Sequence, residues 1–77
     1  MKATDCEIIR MIGTLAERMG YDGKPQTLDL NLIKRSGRTV YDLRWWSEGN
    51  PLYGVSLTER TLAELGDLID SVFNKEE

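Results

Sequence analysis

Between positions 34 and 46 the chain concentrates side chains suited to gripping a nucleic-acid strand. Lys34, Arg35 and Arg38 surround Gly37 in the run KRSGR, and Arg44 is followed directly by Trp45 and Trp46. A guanidinium holds phosphate through a planar fork and can also stack. An exposed indole lies against any unpaired base, which is worth roughly 1–3 kcal/mol per base without reading sequence. Because a duplex offers no free base faces, such a ridge suits single strands. Plainer uses exist for each residue. Cations at a hairpin tip keep sheet edges from pairing, Arg44 near Asp42 can be a surface ion pair worth under about 1 kcal/mol, and both tryptophans can be core or subunit-interface residues.

These side chains are set by strand periodicity. Leu28, Leu30 and Leu32 alternate with Asp29, Asn31 and Ile33, and Tyr41, Leu43 and Trp45 alternate with Asp42, Arg44 and Trp46. The period of two predicts strands over about 26–35 and 38–47, joined by a tight turn at Gly37. Tyr41, Leu43 and Trp45 carry the larger apolar surface and are expected in the core, which displays Trp46 beside Arg44 and in line with Arg38. Glu48 to Pro51 reads as a loop, because proline cannot donate to a ladder, and a short fourth strand is expected over 52–57. A helix over about 59–74 follows: Thr58 is a good N-cap, Glu59 suits the positive helix end, and Leu57 can staple to Leu62. Its stripe of Leu62, Leu65, Leu68, Ile69, Val72 and Phe73 should cover one face of the sheet, with part left for a second subunit. Gly20 to Pro25 is turn chemistry. Residues 5–19 are ambiguous. Ile8, Ile12, Leu15 and Met19 fall at helical spacing, whereas the β-branched residues and Gly13 argue against a helix.

Composition narrows the function classes. With 77 residues there is room for one domain, 1–77, and a small core that a partner subunit would help. There is no histidine and one cysteine, so the usual zinc sets and the commonest neutral-pH acid or base are missing. No nucleophile–base pair or phosphate loop is visible, and neither catalysis nor a cofactor is expected. Cys6 is expected to be a small buried or half-buried apolar residue. No membrane-length apolar run or signal peptide is seen, so a cytoplasmic location is the default expectation. Net charge is −3, yet residues 22–46 hold five cations against three anions, while residues 58–77 hold two against six. Local sign governs contact with a polyanion, since screening limits each charge to about 8 Å at physiological salt.

The segments Tyr41-Asp42-Leu43-Arg44-Trp45-Trp46-Ser47 and Tyr53-Gly54-Val55-Ser56-Leu57-Thr58 resemble, in order and spacing, the core motifs of the positive cofactor four family of transcriptional coactivators. The likeness is greatest to its compact bacterial members, which are single-stranded nucleic-acid-binding dimers, and it covers roughly residues 7–73. It implies an α+β fold: a curved four-stranded antiparallel sheet, with a first strand over about 6–18, then one C-terminal helix (ββββα), forming a homodimer. It further implies single-stranded DNA or RNA binding in transcription, replication or repair. On this reading Lys34, Arg35, Arg38, Arg44 and Trp46 form the binding ridge. Arg10, Arg18, Lys24 and Tyr21 flank it, Tyr53 replaces by stacking the cations the family carries before its fourth strand, and Leu65, Ile69, Val72 and Phe73 join two subunits. The competing reading is a small dimeric protein-interaction module, which the acidic helix would suit.

Overall fold

Four strands follow one another in an antiparallel meander: β1 (Cys6–Met19), β2 (Pro25–Arg35), β3 (Arg38–Ser47) and β4 (Asn50–Leu57). Helix α1 (Glu59–Phe73) closes the chain, giving the expected ββββα architecture. The computed structural model describes residues 6–74. Among them no helix is long and apolar enough to cross a membrane.

Both hairpins of the β2–β3–β4 unit turn on two residues with positive φ. These are Ser36 (53°) with Gly37 (80°), and Glu48 (51°) with Gly49 (84°). Such mirror-image turns match the right-handed strand twist and bring the ladder up to the turn itself. Hence β4 begins at Asn50, two residues before the expected start, and Pro51 pairs with Trp46. Proline is accommodated there because β4 is an edge strand.

The ambiguous first segment is a strand, and its register explains the helical appearance. Its fourteen residues pair with the eleven of β2, with register shifts between Ile8 and Arg10, Met11 and Gly13, and Thr14 and Ala16. Each shift leaves one residue, Ile9, Ile12 or Leu15, without an opposite number. An extra residue at every third position turns a period of two into a period of three, which is close to that of a helix. Gly13 therefore lies within a bulged, curving edge strand, not a helix.

Register and alternation define two faces. Leu28, Leu30 and Leu32 lie opposite Trp45, Leu43 and Tyr41, and make up the Trp45 face. Asn31 and Ile33 lie opposite Asp42 and Val40 on the Trp46 face. The three buried residues among those described, Ile33, Asn31 and Asp42 at 2–3% exposure, all belong to the second face. The expected core face is thus only half-buried, and Trp45 and Trp46 are half-buried alike.

The helix starts as expected, with the Thr58 side chain accepting from the Thr61 N–H at 3.1 Å, and Leu57 and Leu62 both half-buried. It does not cover the sheet. Leu62 is the one residue of α1 that is not exposed, and Leu65, Leu68, Ile69, Val72 and Phe73 face solvent. The radius of gyration is 14.6 Å, against the about 11.5 Å expected for a compact chain of this length. Cys6, expected to be at least half-buried, is exposed on the open edge of the sheet.

The first hairpin turn gives a direct test. Ser36→Asn supplies a residue that tolerates positive φ better and should raise the melting temperature slightly, whereas Gly37→Val should cost about 1–2 kcal/mol in chemical denaturation.

Candidate nucleic-acid interface

Arg18 is carried to its site by the bulges of β1. Because three extra residues precede it, it pairs with Gln26 near the end of β2 and lies on the Trp45 face. Its Nε donates to Gln26 Oε1 at 2.7 Å and its Nη2 to the Tyr53 hydroxyl at 3.1 Å. The guanidinium carbon stands 3.8 Å over the centroid of the Trp45 ring and 5.8 Å from that of Tyr53. Two hydrogen bonds therefore hold a planar cation over an indole, and cation and ring attract through the ring quadrupole. The cleft beside this stack, about 310 Å³, is lined by Arg18, Met19, Gly20, Tyr21, Gln26 and Tyr53. Tyr53 is 67% exposed and Tyr21 is fully so.

The turn that carries Tyr21 is held by its own backbone. The Gly23 N–H donates to the Gly20 carbonyl at 3.0 Å, and the Lys24 N–H to Asp22 Oδ1 at 3.0 Å. Lys24 lies near the same end of the sheet and pairs at 3.4 Å with Glu48 of the second hairpin turn. Farther along the Trp45 face, across the leucine row, come Arg10 opposite Leu32 and Lys34 opposite Thr39. Among the paired strand residues this face carries Arg10, Arg18 and Lys34 against Glu7. It has an excess of positive charge in a chain that is acidic overall.

On the opposite face the charges are matched to one another. Arg35, Arg38 and Arg44 share it with Glu17, Asp29 and Asp42. Arg44, with 20% of its side chain exposed, donates from Nε to Asp42 Oδ2 and from Nη2 to Asp42 Oδ1, both at 2.7 Å. Its Nη1 donates to the Leu52 carbonyl at 2.8 Å. Asp42 also accepts from Ser56 Oγ at 3.0 Å and lies 3.8 Å from Arg35 Nη2. Burial acts to raise the Asp42 carboxyl, but hydrogen bonds from Arg44 and Ser56 and the charges of Arg44 and Arg35 outweigh it, holding the group below the usual carboxylate value. The bond to Asp42 likewise raises Arg44. Trp46 lines a pocket of about 200 Å³ with Ile8, Ile33, Arg35, Arg44 and Pro51, and its buried indole N–H has no hydrogen-bond partner among the described residues.

The sheet therefore separates the expected ridge, apart from Lys34, from the residues expected to flank it. Arg18, Tyr21 and Tyr53 come together on one side, with Arg10 and Lys34 on the same face. Arg35, Arg38, Arg44 and Trp46 lie on the other. Trp45 and Gln26 complete the first cluster: Gln26 carries no signal in the sequence, and Trp45, though part of the basic aromatic run, falls in phase with Tyr41 and Leu43 and so reads as core. Only a register for β1 that allows three extra residues places Arg18 over it. Neither family models, curated proteins nor solved structures show a match to this chain.

The Asp42 network predicts an acid limit to stability. A carboxyl held low in the folded state contributes fully above the ordinary carboxylate value, and the contribution is lost as pH falls through its folded value. Melting temperature should therefore decline on acidification below about pH 4. Asp42→Asn should flatten that decline and, by stranding Arg44, cost about 2 kcal/mol or more at neutral pH.

Proposed function

We propose that the chain binds single-stranded DNA or RNA through the Trp45 face of its sheet, acting as a homodimer. The observation that carries this reading is the Arg18 guanidinium stacked 3.8 Å over Trp45 and bonded to Tyr53, at a cleft that Tyr21 also lines. Bases without partners stack on aromatic and guanidinium planes, and cations beside them hold the phosphates. Arg10 and Lys34 add positive charge farther along the same face, while Lys24, in the turn that carries Tyr21, is paired with Glu48. The resemblance of the segments Tyr41 to Ser47 and Tyr53 to Thr58 to positive cofactor four proteins points to the same activity, in transcription, replication or repair.

What one chain leaves uncovered supports the homodimer. Leu65, Leu68, Ile69, Val72 and Phe73 form an exposed apolar stripe on α1, and Ile9, Ile12 and Leu15 project from the bulged edge strand. Exposed apolar area of this extent marks an interaction surface, and a chain this short gains the core it lacks by self-association.

Two measurements test the reading. Oligothymidylate should quench tryptophan fluorescence, bind more tightly than a duplex of the same length, and dissociate as salt rises. Trp45→Ala and Arg18→Ala should each weaken binding about tenfold or more. A protein that binds no oligonucleotide would leave the cleft to a peptide partner instead. Sedimentation should show a dimer, and Ile69→Asp with Phe73→Asp should abolish it and lower the melting temperature.

A further inference from the structure

We propose that Arg44 is a positioning residue for the oligonucleotide site, not a phosphate ligand. From the Trp46 face it holds the peptide group that links Leu52 to Tyr53, and so aims the Tyr53 ring at Arg18 and Trp45 on the other side of the sheet. The inference rests on reading the Trp45 face as the single-strand site.

Three observations carry it. Arg44 is already committed: Nε and Nη2 go to the two oxygens of buried Asp42, and Nη1 goes to the Leu52 carbonyl at 2.8 Å. A guanidinium whose three nitrogens are all engaged inside the sheet is poorly placed to fork a phosphate. The Leu52 carbonyl also sits where the β3–β4 ladder is irregular. Arg44 pairs with Gly54 and Trp46 with Pro51, so β4 spends one residue more than β3 over that interval. A bulge re-aims side chains and leaves the local ladder incomplete, and here a side chain of the neighbouring strand supplies a donor. Gly54, the residue after Tyr53, packs so closely that a Cβ there would overlap Arg44 and the Leu43 carbonyl. Tyr53 is thus fixed from both sides, by Arg44 on the peptide before it and by the contact of Gly54 after it.

Asp42 is then the clamp that keeps Arg44 turned toward Leu52. Its carboxylate is also bonded to Ser56, two residues beyond Gly54 on the same strand. The stretch from Leu52 to Ser56 is consequently tied to β3 by the Asp42–Arg44 pair as well as by its backbone, and the phenol of Tyr53 lies at the far side of that tie.

The two roles predict opposite outcomes for Asp42→Asn. If Arg44 gripped phosphate, releasing it from Asp42 would tighten binding of oligothymidylate. As a positioning residue it loses its hold on Leu52, and binding should weaken about tenfold. Arg44→Lys keeps the charge but cannot span both carboxylate oxygens and the carbonyl. It should weaken binding by a similar factor, and adding Tyr53→Ala should produce little further loss. Retained affinity in Arg44→Lys, or additive losses in the double variant, overturns the proposal. Tyr53 ring-proton shifts in the free protein give a ligand-independent reading. They should move toward unstructured values in Arg44→Lys, with the fold confirmed by circular dichroism. Unchanged shifts reject the positioning role even where oligonucleotide binds. Changed shifts in a protein whose parent form binds no oligonucleotide reject the functional reading and leave the clamp in place.

Discussion

The carboxylate of Asp42 is the point on which this sheet is fastened. It lies on β3, an inner strand, almost fully buried, and side chains from three strands converge on it: Arg35 from β2, Arg44 from β3 and Ser56 from β4. A lone ionised carboxyl so placed would be costly, and burial pushes against its charge. Charge-assisted hydrogen bonds with good geometry reverse the balance, because two of them come from the fork of a single arginine. Each strand next to β3 thereby contributes a group that is correctly satisfied only in the observed register, so the network specifies alignment as well as contributing stability. A one-residue slip of β4 would separate Ser56 from Asp42 and carry Gly54 away from the only place where its missing side chain is needed.

Around that fastening the sheet is a single layer. Ile33 is the one fully buried apolar residue among those described, whereas the leucine row of the Trp45 face is half-buried and the α1 stripe is open to solvent. Hydrophobic burial is the dominant favourable contribution in folding, and it is this shortage within one chain that the proposed homodimer would make good by covering these surfaces with a second copy. The bulged β1 fits the same logic. Its three extra residues curve the edge strand and display Ile9, Ile12 and Leu15, while the irregular ladder makes it a poor template for indiscriminate edge-to-edge pairing.

On the proposed reading, a protein of net negative charge presents a local site for a polyanion on the Trp45 face. The acidic residues of α1 are on a different element from Arg18, and on the Trp46 face the strand cations are balanced by carboxylates. What remains in excess lies beside Trp45 and Tyr53. For the proposed ligand, few free cations and several aromatic planes imply more affinity from stacking than from counterion release, and so a modest dependence on salt. Fixing Arg18 by two hydrogen bonds lowers the entropy lost when a ligand stacks on the cluster.

The sequence alone determined the order of the elements after the first, the tight turn at Gly37, the start of the helix at Thr58, and the alternation of β2 and β3, because each depends on interactions among near neighbours in the chain. Its ambiguity over residues 5–19 came from the same source: bulges at every third residue imitate the spacing of a helix, and periodicity contains no information that separates the two. Which face closes and which cations remain available were settled only by tertiary structure. Alternation already placed Trp45 and Trp46 on opposite sides and Trp46 with Arg38 and Arg44, but the partner of each is set by residues far away in the chain. Arg18 meets Tyr53 across thirty-five positions, and Arg44 is turned inward by a carboxylate and by a carbonyl that is exposed to it only through the irregularity in β4. Such distant pairings follow from strand register, which the sum of all ladder contacts decides and no local stretch of sequence encodes.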